Sequence, residues 1–216
     1  MRIVLAHEGD QIAVGLAAAL GGAHCMTPKE LSRAGWVHEP TTDAEDTLSV
    51  DGTVVPARAI TAVITRIAAV ASSDLPHIVE ADRGYVAAEM TAFLLSFLTK
   101  LACPVVNAPS AGSLMGPSWT PVRWRAVATR AGFAAPSDPQ ERGQLVVVVG
   151  DRCVGARSPV IEQSARSLAK MANVTLLGMR VIEGDAAPEL VAVEPWSELP
   201  PAAIDSLDEL LARGFS

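Results

Sequence analysis

A handful of residues in this chain have the right type and position to handle a ligand. Arg66 follows the apolar run 62–65, and a guanidinium at a strand end can grip a carboxylate or phosphate through two parallel hydrogen bonds. The competing reading pairs it with a local acid such as Asp82 or Glu89. Asn107 follows Val105-Val106 and can contact a ligand or hold an Asx turn ahead of Pro109. Tyr85 and Glu89 stand four apart in a helical stretch and so share a face. Either they look toward the same rim as Arg66, or Tyr85 is core and Glu89 pairs with an arginine. Trp119, Arg123 and Trp124 cluster where one folded segment hands over to the next. Tryptophan and arginine anchor binding surfaces, and they also pack between domains.

Other chemistries lack their signatures. The first strand is not followed by G-x-G-x-x-G, and no G-x-x-x-x-G-K-[ST] loop occurs. No G-x-S-x-G elbow is present. His7, His24, His38 and His77 lie in separate segments without metal-ligand spacing, so no metal site is expected. Cys25 neighbours His24, but adjacent residues of one element point apart. No catalytic residue is assigned.

Composition narrows the partners. The 216 residues carry a net charge of −7, only three lysines and 4% aromatics, which argues against a phosphate-backbone or base-stacking surface. No apolar run reaches the roughly 20 residues of a membrane helix. Three widely spaced cysteines, an odd number, fit a reduced cytoplasmic protein better than a disulfide framework. Abundant Ala and Arg with little Lys suggests a GC-rich bacterial genome.

Periodicity supplies the elements that would carry these residues. Buried strands are expected at 2–6, 62–65 and 104–106, with a short strand at 36–38 and a hairpin at 47–55 turning at Asp51-Gly52. Helices are expected at 10–20 and 80–101, the second with Tyr85, Ala88, Ala92, Leu95 and Thr99 near one face. The β-α-β order predicts an α/β protein with a Rossmann-like parallel layer over residues 1–117. Its ligand loops would open near His7, Arg66 and Asn107. A junction helix (119–131) and a polar linker (137–143) occupy 118–143. A smaller α+β unit (144–216) follows, with strands at 144–149, 153–156, 174–182 and 189–193 and helices at 160–172 and 201–213.

The order of motifs resembles an ATP-grasp protein of the RimK type. Ala62–Arg66, Tyr85-x-x-x-Glu89 and Pro104-Val-Val-Asn-Ala-Pro109 are similar to the family's N-terminal domain. The junction helix ending Ala131-Gly132-Phe133, the run Leu145–Asp151, and Val191-Ala-Val-Glu194 are similar to its later segments. That resemblance implies a Mg–ATP-dependent carboxylate–amine ligase. Several implied residues differ, however. No lysine lies near 118–121, and the family's lid is replaced by a short linker. Arg180 stands at the position of a metal-binding Asp, and Trp196 at that of an Asn. Glu194 alone matches the metal ligands, and phosphoryl transfer needs Mg²⁺ held by oxygens. Arg180 and Glu194 then form either an ion pair across neighbouring strands or a repurposed anion pocket.

The resulting expectation is a truncated, degenerate ATP-grasp protein without cofactor, ATP and Mg²⁺ being disfavoured. It would bind a small acidic metabolite or a peptide in the cleft between its units, through the nine residues Arg66 to Glu194 named above. It would serve as a dimer or as an accessory subunit of a full-length ATP-grasp ligase. Two alternatives stay open: an active ligase completed by a partner, and an enzyme working in the same cleft without ATP.

Overall fold

The computed structural model describes residues 1–41, 44–136, 143–184, 186–194 and 199–214. They fall into two compact units, Met1–Ser118 with the C-terminal residues from Gly214, and Trp119–Arg213. None of the described helices is long and apolar enough to cross a membrane.

In the first unit, β1 (Arg2–Leu5), β2 (His24–Met26), β5 (Ala62–Thr65) and β6 (Val105–Val106) form a sheet ordered β2-β1-β5-β6 with every pairing parallel. All four residues of β5 are buried, as continuous apolar strands covered on both faces should be. Parallel neighbours need crossovers. Here α1 (Gln11–Ala19) links β1 to β2, and α3 (Arg83–Lys100) lies between β5 and β6. Asp10 caps α1, its carboxylate accepting the Ala13 N–H at 3.0 Å.

β2 and the short helix α2 (Pro28–Leu31) were not expected. The Thr27-x-x-Glu30 capping box with Pro28 behind the cap is the sequence signal that marks α2. β3 (Thr47–Val50) and β4 (Thr53–Pro56) form the expected hairpin. Asp51 and Gly52 have φ of 49° and 78°, both positive as a type I′ turn requires. The strand expected at 36–38 reduces to one bridge between Val37 and Thr47.

The face of α3 differs from expectation. The helix buries Ala87, Leu94, Phe97 and Leu98, while Tyr85 is 70% exposed and so is not a core residue. Apolar residues surround this helix almost completely, so periodicity alone did not single out the inner stripe. Trp36 and His38 each pack edge to face on Phe93 and Phe97 of α3, with ring centroids 5.2–5.9 Å apart. His38 Nδ1 lies 2.8 Å from Asp46, and His38 Nε2 lies 2.7 Å from the Ser96 hydroxyl. A carboxylate only accepts, so Nδ1 carries the proton. Lys100 donates to the other Asp46 oxygen at 3.0 Å.

In the second unit, β7 (Gln144–Val149), β8 (Arg152–Val154), β9 (Leu176–Ile182) and β10 (Glu189–Val193) form an antiparallel sheet ordered β10-β9-β7-β8. Val146, Val148, Leu177, Met179 and Val181 share a core with Ile161 and Leu168 of α5 (Pro159–Ala172) and with Ala128 and Ala131 of α4 (Pro121–Ala131). Their spacing of two puts them on one face of the sheet, and the intervening Val147, Val149 and Leu176 are buried too, so β7 is covered on both faces. α6 (Pro201–Arg213) contacts β7 and β8. α4 begins after the Thr120 cap, so Trp119 precedes the helix, and Gly132 ends it at φ 101°. The expected linker residues 137–142, the turn residue Asp185 and Trp196 lie outside the described residues.

Candidate functional site

Of the nine candidate residues, Arg66, Tyr85, Glu89 and Asn107 belong to the first unit. Arg66 leaves the carboxyl end of β5 and is held by Asp10, not by Asp82 or Glu89. Its Nε donates to Asp10 Oδ2 at 2.8 Å and its Nη2 to Oδ1 at 3.3 Å, with the side chains only 8% and 19% exposed. Burial pushes the Asp10 carboxyl up. The Arg66 hydrogen bond and the Ala13 N–H outweigh it and leave the group below its ordinary 3.8. One acid therefore caps α1 and ties it to the end of β5. The Asp10 pairing was overlooked in the sequence, although a helix-capping Asp ahead of an apolar-periodic run is readable there.

Beside this pair, His7 Nδ1 lies 2.9 Å from Asp74. Asn107 is 1% exposed with φ 55°, a left-handed conformation that Asn tolerates better than most residues. Tyr85 and Glu89 are exposed on α3. His24 pairs with Asp51 at 3.2 Å.

The other five residues lie in the second unit. The Trp119 and Trp124 rings meet at 4.8 Å, and the Arg123 guanidinium sits 4.5 Å over Trp119. Such a cation–π contact stabilises by about 0.5–1 kcal/mol at exposed sites. Arg180 occupies β9 opposite Ala192, and Glu194 follows β10 with its N–H donating to Gly178 O at 2.8 Å. Arg180 Nε lies 3.3 and 3.2 Å from the two Glu194 oxygens, and each side chain is 35% exposed. The carboxylate that the family resemblance would give to a metal is thus neutralised by a guanidinium.

No protein-family model matches the sequence, and none of the curated proteins matches it. Solved structures do match. The macrocyclase MdnC of Microcystis aeruginosa MRC, bound with precursor peptide MdnA, superposes with a TM-score of 0.71 at 10% identity, spanning 98% of this chain and 99% of that one. The ATP-grasp ligase PsnB, complexed with a minimal precursor, gives 0.64 at 13% identity over 95% and 97%. A RiPP-associated ATP-grasp ligase of Chryseobacterium gregarium, in complex with ADP and a leader and core peptide, gives 0.62 at 10% over 98% and 96%. Identities this low speak for the fold alone: the chain has the fold of the ATP-grasp superfamily.

Proposed function

We propose that this chain is a biosynthetic ATP-grasp-like protein that binds a peptide or small acidic metabolite and does not transfer phosphoryl groups on its own. The observation that carries the reading is the Arg180–Glu194 pair. A Mg²⁺ cage needs several hard oxygen donors. Here one carboxylate remains and a fixed positive charge lies 3.2 Å from it, repelling a divalent cation. The residues present do not suit Mg–ATP, and no step is assigned to it. A peptide is favoured as ligand because MdnC and PsnB are complexed with precursor peptides.

On this reading the parallel sheet of residues 1–117 is a Rossmann-like pre-ATP-grasp layer, and residues 144–216 are a degenerate ATP-grasp core. The protein works in the cytoplasm as a dimer or beside a full-length ligase. Isothermal titration with Mg–ATP tests it: no binding below millimolar is expected, against measurable binding of a precursor-type peptide. Micromolar Mg–ATP affinity with carboxylate-dependent ADP release would overturn it.

A further inference from the structure

The first unit holds a cavity of about 340 Å³ at the carboxyl ends of β1 and β2. His7, Glu8 and Gly9 follow β1 on one side, and Thr27 and Lys29 follow β2 on the other. Loops at this end of parallel strands are where open α/β sheets take their ligands. The volume sits at the small end of ligand pockets.

Several polar groups around the cavity are already hydrogen-bonded. Asp10 serves Arg66 and the α1 cap. One Glu30 oxygen accepts the Thr27 N–H at 2.9 Å and the Thr27 hydroxyl at 3.1 Å. His7 is held by Asp74. Burial first, then the charges of Asp10 and Glu30, push the Cys25 thiol up, so it adds no negative charge at neutral pH. Thr27 is neutral, so Glu30 keeps its charge; Lys29, Arg33 and Glu8 complete the charged lining. Among the described residues none of the three side chains has a hydrogen-bond or ionic partner. Lys29 is half-buried, and its ammonium, with three donors, has no protein acceptor among the described residues. The lining thus offers two cations without an ionic partner among the described residues, Lys29 and Arg33, alongside the acids Glu8 and Glu30.

We propose that this cavity binds a compact anion of carboxylate or phosphate type, with Lys29 and Arg33 as its cationic contacts. The site is independent of the Arg180–Glu194 pair and stands or falls separately from the function proposed above.

The test is thermal-shift and calorimetric titration of the full chain with inorganic phosphate and, separately, succinate, at constant ionic strength adjusted with chloride. Saturable binding of at least one anion is expected, weakened about tenfold or more by Lys29→Gln and by Arg33→Gln. Lys170→Gln, on an exposed part of α5, should leave it unchanged. Binding of phosphate alone, succinate alone or both names the anion and supports the site. Arg33 is exposed, so its variant keeps the test valid if Lys29→Gln misfolds. A linear response to both anions overturns the proposal. So does saturable binding that both variants retain in full.

Discussion

Replacing Asp46 by Asn should cost the first unit about 3 kcal/mol. The carboxylate is 6% exposed and receives His38 Nδ1 at 2.8 Å, Lys100 Nζ at 3.0 Å and the Glu39 N–H at 3.1 Å. Each hydrogen bond to a charged group contributes about 1.5–3 kcal/mol, partly offset by desolvation of the carboxylate. An amide keeps one acceptor but turns its NH₂ toward either His38 or Lys100. His38, 3% exposed, cannot turn to water, whereas Lys100, 30% exposed, can. The loss therefore falls near the lower end of the roughly 3–5 kcal/mol seen when a buried charge loses its partner. Lys100→Met should cost only about 1 kcal/mol.

The same carboxylate predicts a pH dependence. Burial raises the Asp46 carboxyl, but His38, the Glu39 N–H and Lys100 more than reverse this and hold it below 3.8. A depressed carboxylate contributes stability above its unfolded value, about 3.9, and loses it as pH falls through the folded value. The stabilisation is thus complete at neutral pH and disappears in acid, and Asp46→Asn should flatten that acid limb. Equilibrium urea unfolding at pH 7 and through the acid range measures both effects. With a slope of about 2–3 kcal/mol per molar, the midpoint should drop by about 1 M. A variant within about 1 kcal/mol of wild type, or one with an unchanged acid limb, would refute the argument.

Three further outcomes follow from single positions. Gly132→Ala should lower Tm by about 4–8 °C, because φ is 101° and the added Cβ would lie 2.9 Å from Ser164 Oγ; an unchanged melting curve contradicts this. Arg180→Met should change stability by no more than about 1 kcal/mol, since both partners are 35% exposed and water replaces the guanidinium; urea unfolding measures it, and a larger loss would make the pair a structural anchor. Burial first, then the Glu162 charge, push the Cys153 thiol up to about 11, so iodoacetamide should label it a few hundred-fold more slowly than an unfolded thiol. Mass spectrometry of labelled native and urea-unfolded chain compares the two rates.

Much of the secondary structure was legible because its signals are local. The apolar runs at 62–65 and 144–149 form strands with those bounds. Asp51-Gly52 turns the hairpin, and Gly132 stops α4. Where local signals conflict, the reading slipped. α3 is apolar on several sides, so the face shared by Tyr85, Ala88, Ala92, Leu95 and Thr99 is not the one it buries, and Tyr85 is exposed. α2 is too short for periodicity, and only its capping box announces it.

The sequence by itself determined the order of elements and the family-like arrangement of motifs that led to the ATP-grasp fold. It also placed Arg180 and Glu194, oppositely charged, where metal ligands were implied. Only the tertiary structure decided who meets whom. Arg66 finds Asp10 across 56 positions, and His38 reaches Ser96 across 58. Periodicity and capping act within a few residues, whereas ion pairs, buried networks and cavities arise where the sheet brings distant strand ends together. For that reason Lys29 and Arg33 carry no signal in the sequence and become a candidate anion site only once the fold shows them lining one cavity without an ionic partner among the described residues.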